Sequence, residues 1–190
     1  MQKRLGLTII AALTLVLLLV SPVLANGPTL LAGVDINTSG GVVTDTNLVP
    51  GTSTKFISSF NAEQPGNWGG EYGDGAVTAF PGDSDLAGYV TFTWDSGFAR
   101  RIELRVLDGI ADDSFDVYVK NPGGNWALVY SYTSDPDTSE YWVVHHIYSF
   151  PAGKGQGESL QMKIVPTNLG WSGFGTWGQL GVDWIKVWDH

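Results

Sequence analysis

The chain contains no cysteine. That removes disulfide staples, thiol nucleophiles and thiol-linked lipid anchors from consideration. Cations are also scarce: ten Lys and Arg stand against nineteen Asp and Glu, a formal charge of −9 at pH 7. Binding to phosphate backbones needs clustered Lys and Arg, so the composition argues against nucleic acid as a partner. Neither Gly-x-Ser-x-Gly nor His-Glu-x-x-His occurs. His145 and His146 are adjacent in an alternating run, which points their side chains to opposite faces and prevents them from sharing a metal. Gly153-x-Gly155-x-Gly157 is followed by no helical pattern whose amino terminus would hold a phosphate. A non-catalytic protein is therefore expected.

One long apolar run exists, and it lies at the start. Lys3 and Arg4 precede Leu5 to Val20, and Val23-Leu24-Ala25 offers small residues for cleavage, the layout of a secretory signal over residues 1–25. The run falls short of the ~20 residues a spanning helix needs. A secreted or cell-surface chain with no transmembrane segment after cleavage is expected. Losing Lys3 and Arg4 makes it two units more negative. The ~165 residues left suffice for one domain that buries about 70% of its unfolded surface without staples.

That domain reads as all-β. Ile102, Leu104 and Val106 alternate with Arg101, Glu103 and Arg105; Phe115 to Lys120 repeats the pattern; Val90, Phe92 and Trp94 share one side. Strict alternation marks strands with one buried and one wet face. Further runs are Trp126 to Tyr132, Tyr141 to Phe150, Glu158 to Val165 and Leu180 to Trp188, with weaker candidates at Lys55 to Ala62 and Ala76 to Phe80. Eight or nine strands joined by Gly, Pro, Asp and Asn clusters predict an antiparallel β-sandwich or jelly roll over residues 55–190. Residues 26–54, rich in Gly, Thr, Ser and Asn, are expected as a loose amino-terminal arm or an edge strand.

Two glycine-rich loops concentrate aromatic residues. Gly170 to Gly181 carries Trp171, Phe174 and Trp177 with Ser172, Thr176 and Gln179, and Gln64 to Gly75 carries Trp68 and Tyr72. Sugar rings pack C–H faces on flat side chains while their hydroxyls seek amides and carboxylates. These rings either form a ligand platform or fold back to plug the sandwich, since burying a large apolar side chain is worth about 1.5–3 kcal/mol. Trp94, Trp126, Trp142 and Trp184 lie within strand patterns and are assigned to the core. Asp108 to Asp116, with Asp112 and Asp113, is an acidic turn between two strong strands. Hard cations take oxygen ligands from such turns, although Asp and Ser there also cap backbone N–H groups.

At Arg101 to Lys120, and again at Gly181-Val182-Asp183-Trp184-Ile185-Lys186-Val187, the pattern resembles the galactose-binding-like jelly rolls, a superfamily that includes many carbohydrate-binding modules. The resemblance covers roughly Phe56 to Trp188. It implies that Asp183, in a Gly-x-Asp-x-Ile setting on the last strand, helps hold a structural Ca2+. It also implies that the Glu of an early Ala-Glu pair supplies another ligand, a place that Glu63 after Ala62 takes, farther from the mature start than usual. Ligands of such modules bind through aromatic side chains on loops at one end or on a concave sheet face, and the first option fits Trp68, Tyr72, Trp171 and Trp177.

The leading expectation is an exported, non-catalytic β-sandwich that binds carbohydrate or a cell-surface glycan through the two loops. The alternative is a structural or adhesive surface protein whose amino-terminal stretch pairs with other surface proteins as a donated strand. An enzyme using Glu63, Glu71 or Asp74 as a carboxylate pair ranks third.

Overall fold

The computed structural model describes residues 27–39, 42–57, 77–79, 89–108, 114–120, 123–133, 141–148, 158–168 and 180–190. Met1 to Ala25 lies outside them. Among the described residues no helix is long and apolar enough to cross a membrane.

The architecture is an antiparallel β-sandwich. One sheet has the order β2 (Val42–Asn47), β1 (Leu30–Ser39), β11 (Leu180–Trp188), β6 (Arg101–Asp108), β9 (Tyr141–Ile147), with β4 (Val77–Ala79) also paired to β11. The other has the order β3 (Ser53–Ile57), β5 (Tyr89–Trp94), β10 (Glu158–Asn168), β7 (Ser114–Lys120), β8 (Ala127–Thr133). From β5 to β7, and again from β8 to β11, each successive strand changes sheet. The sandwich is thereby laced by its own chain order, and apart from β1–β2 and β7–β8 the neighbours within a sheet are not consecutive in the chain.

The alternation seen in the sequence is what the sheets use. Val90, Phe92 and Trp94 on β5, Ile102, Leu104 and Val106 on β6, and Leu160, Met162 and Ile164 on β10 all enter one buried cluster. A Gly97 with φ of 95° closes the turn after β5, and its carbonyl accepts the Trp94 indole N–H at 3.0 Å. The positive φ calls for glycine, and a Cβ there, 2.6 Å from Leu31 Cδ2, would also make the Leu31 side chain shift.

Two expectations need correction. Eleven strands are described rather than eight or nine, and the added pair, β1 and β2, comes from the stretch expected to be an arm or an edge strand. β2 is an edge strand, but β1 lies between β2 and β11, with Ala32, Val34 and Ile36 fully buried. Four core residues and two ladders tie β1 into this sheet. Its signal was faint because the alternating run is short and lies in a stretch rich in Gly, Thr, Ser and Asn.

His145 links the two sheets. From β9 it points inward, its Nδ1 2.8 Å from the Tyr130 hydroxyl, and its ring meets Phe115 and Tyr132 edge-on at 5.2 and 4.5 Å. Burial, and secondarily the neighbouring His146, lowers its pKa to about 4. Between that value and the ordinary 6.5 the unfolded chain binds a proton that the folded chain refuses, so stability falls as pH drops through this window. From pH 7 to about pH 4.5 the loss from this group is about 2–3 kcal/mol. Urea unfolding at both pH values should show a smaller acid loss for His145→Phe than for the parent protein; equal losses would remove His145 as the cause.

Candidate functional site

Strand β11 carries the first of the expected site residues. Its ladder with β6 slips between Val182 and Trp184, leaving Asp183 without an opposite residue. This β-bulge resets the alternation: Val182 and Ile185 both enter the core cluster, and Asp183 and Trp184 take the outer side between them. Asp183 is fully buried there and pairs through Oδ2 with Arg105 of β6. Trp184 is buried too, but on the outside of the sheet and not in the inter-sheet cluster, with Lys186 Nζ 3.8 Å from its ring centroid. Trp94 is in the core as expected; the Trp142 side chain lies outside the described residues.

Several other groups of this outer face contact one another. Glu103 accepts the Trp188 indole N–H at 2.6 Å, and it lies 3.1 Å from His146 Nδ1 and 3.5 Å from Arg101 Nε. The Arg101 guanidinium also covers the Trp188 ring at 5.1 Å.

The outer face of the five-stranded sheet is different. Pairing registers place its side chains in rows that run across the strands. Ser53, Thr93 and Ser159 form a hydroxyl row; Lys55, Thr91, Gln161 and Lys120 form the next; Lys163, Tyr118 and Leu128 belong to a third. Tyr89 lies two residues before Thr91 on β5 and so shares its face. Trp126, at the end of the β7–β8 connection, brings its ring to 5.8 Å from that of Tyr89 although β7 and β5 are separated by β10. It thus reaches over the middle of the sheet and is half-exposed, a correction to its expected place in the core. A connection of few residues back to β8 directs the indole outward, and the inward positions of β8 belong to Tyr130 and Tyr132.

Tyr89, Tyr118 and Trp126 make an aromatic lane, and lysines sit on it. Lys163 Nζ is 5.0 Å from both the Tyr118 and Trp126 ring centroids, and Lys120 Nζ is 5.7 Å from that of Trp126. Such contacts contribute about 0.5–1 kcal/mol at exposed sites, little enough for a ligand to displace. Asp116 takes the Ser131 hydroxyl on Oδ1 at 2.6 Å and the Tyr118 hydroxyl on Oδ2 at 3.2 Å. Burial, then the Asp116 charge, raises the Tyr118 pKa above its ordinary value, which keeps the phenol a donor. Half-exposed flat rings beside amide, hydroxyl and ammonium groups suit a polyhydroxylated ligand.

Of the residues expected to bind ligand or metal, only Asp183 is described. Trp68, Tyr72, Trp171, Phe174, Trp177 and Gln179, and the acidic Glu63, Asp112 and Asp113, lie outside the described residues. Among the described residues no three His, Asp or Glu side chains cluster to hold a metal ion. Sequence reasoning missed the sheet face because Tyr118 and Lys163 look like ordinary outward positions singly; their alignment exists only in the register.

No protein-family model matches the chain, and no curated protein matches it. Solved structures similar to it include a carbohydrate-binding module of family 32 from Clostridium perfringens, 15% identical, covering 74% of this chain and 94% of that one with a TM-score of 0.37. A variant of a family 29 carbohydrate-binding module is 13% identical, covers 85% and 92%, and has a TM-score of 0.40. A chitosan-binding module from a Paenibacillus chitosanase/glucanase is 16% identical, covers 72% and 94%, and has a TM-score of 0.36.

Breaking the buried pair on β11 should be costly. Asp183→Ala leaves Arg105 beside an empty site and is expected to lose about 3 kcal/mol, read by chemical unfolding. Asp183→Ala with Arg105→Met should recover part of that loss. A single variant as stable as the parent would show that the bulge does not depend on the pair.

Proposed function

We propose that the protein is an exported, non-catalytic carbohydrate-binding domain whose ligand lies on the outer face of the five-stranded sheet. The observation that carries this reading is the aromatic lane of Tyr89, Tyr118 and Trp126 flanked by Gln161, Ser131 and the lysines. The rings offer apolar faces to sugar C–H groups, and the polar row beside them offers donors and acceptors to hydroxyls. The loop aromatics Trp68, Tyr72, Trp171, Phe174 and Trp177, with Gln179, belong to the proposal as a second group. Export is supported by the charged start and apolar run of Met1 to Ala25.

Polysaccharide affinity electrophoresis distinguishes the two aromatic groups. Trp126→Ala and Tyr118→Ala are each expected to weaken binding at least tenfold, in the range of one aromatic contact at an interface, with a melting temperature within a few degrees of the parent. If binding survives both and is lost in Trp171→Ala or Trp177→Ala, the ligand sits at the loops instead. Binding to no polysaccharide contradicts the reading as a whole.

A structural Ca2+ would draw on Asp112, Asp113 and Glu63 together with Asp183, whose carboxylate is already shared with Arg105. Excess chelator should then lower the melting temperature by several degrees, because an ion bound only to the folded state stabilises it by mass action. An unchanged melting curve removes the ion from the account.

A further inference from the structure

We infer that the outer face of the five-stranded sheet takes an anionic polysaccharide, one with carboxylate or sulfate groups along its chain. This deepens the carbohydrate reading of the same face and rests on it. Ten Lys and Arg serve the whole sequence, two of them at Lys3 and Arg4, yet this one face gathers Lys55, Lys120 and Lys163. The pairing partners Lys55–Thr91, Thr91–Gln161 and Gln161–Lys120 put two lysines in one row, three strand spacings or about 14 Å apart. Lys163 stands in the adjacent row, opposite Tyr118.

The two faces of the sandwich differ in charge pairing, Lys186 over Trp184 being the described cation of the six-stranded sheet's outer face that has no ion pair. On the six-stranded sheet Arg101 meets Glu103 and Arg105 meets Asp183. Among the described residues no ion pair involves Lys55, Lys120 or Lys163. The one carboxylate described on their face, Asp116, is engaged by two hydroxyls. An acidic chain has carboxylates to spare, so three lysines left without them form a local positive field suited to a negative ligand.

The lysine heads also discriminate between sugars. With no ligand present, Lys163 and Lys120 lie over the rings that a sugar would stack on. A neutral sugar displaces them and offers the ammonium groups only uncharged hydroxyl acceptors. A carboxylate or sulfate draws the ammonium off the ring into a charge-assisted hydrogen bond and opens the ring face to the same sugar. Anion capture and stacking therefore help each other on this surface.

The test uses backbone-matched polymers with the whole chain in titration calorimetry: carboxymethyl cellulose against hydroxyethyl cellulose, and dextran sulfate against dextran. The charged member of at least one pair should bind about tenfold more tightly, and raising NaCl from about 50 mM to about 0.5 M should erase most of that advantage. Which pair shows it identifies the anionic group. Lys120→Met with Lys163→Met keeps the aliphatic stems and should cost the charged polymer about tenfold, so that the advantage of the charged over the neutral member is lost. Arg100→Gln removes one positive charge away from the face and should change neither. Equal, salt-independent binding of charged and neutral members would overturn the inference and leave carbohydrate binding intact. Failure of all four polymers to bind would overturn both.

Discussion

The strand pleat imposes a period of two on the described strands, and a bulge in β11 decides where that period restarts in the six-stranded sheet. Strands β5, β6, β7 and β10 commit alternate residues to the space between the sheets, and the core is filled by aliphatic and aromatic residues at those positions. Strand β11 is central to its sheet, bonded to β1, β4 and β6. Without the extra residue at Asp183, either Val182 or the pair Ile185 and Val187 would face outward. The bulge lets both ends of β11 face the core, and the pairing of Asp183 with Arg105 holds it in place.

The same period leaves the other half of the residues free to differentiate the two outer faces. On the six-stranded sheet they close on themselves through Glu103, Asp183 and two rings covered by cations. On the five-stranded sheet they stay open: hydroxyls, lysines and aromatic rings in successive rows, with Trp126 laid across them. A sandwich whose core needs only alternation can vary one face without disturbing its packing. The proposed ligand surface draws on that freedom.

Much of the fold was legible in the sequence. All nine strands marked by alternation are present, and Leu180 to Trp188 matches its expected limits. The two that escaped, β1 and β2, lie in a stretch rich in Gly, Thr, Ser and Asn whose alternating run, Ala32, Val34 and Ile36, is short; pairing of β1 with β11 supplies the order that local sequence does not. The proposed ligand face was less visible. Trp126 reads as a strand residue, but its burial depends on how the β7–β8 connection turns. Lys55 and Lys120 are 65 positions apart in sequence and share a row only because β5 and β10 come between them. Sequence shows which residues face outward, and register decides which of them meet.

The most direct measurement is a map of ligand contacts on the intact domain: amide and indole NMR shifts recorded during titration with a bound polysaccharide. The account predicts that the largest changes fall on the Trp126 indole and on Tyr89, Tyr118, Gln161 and Lys163, with Glu103, His146 and Trp188 unmoved. Changes confined to residues 64–75 and 170–181, with the Trp126 indole silent, would contradict it and place the ligand on the loops.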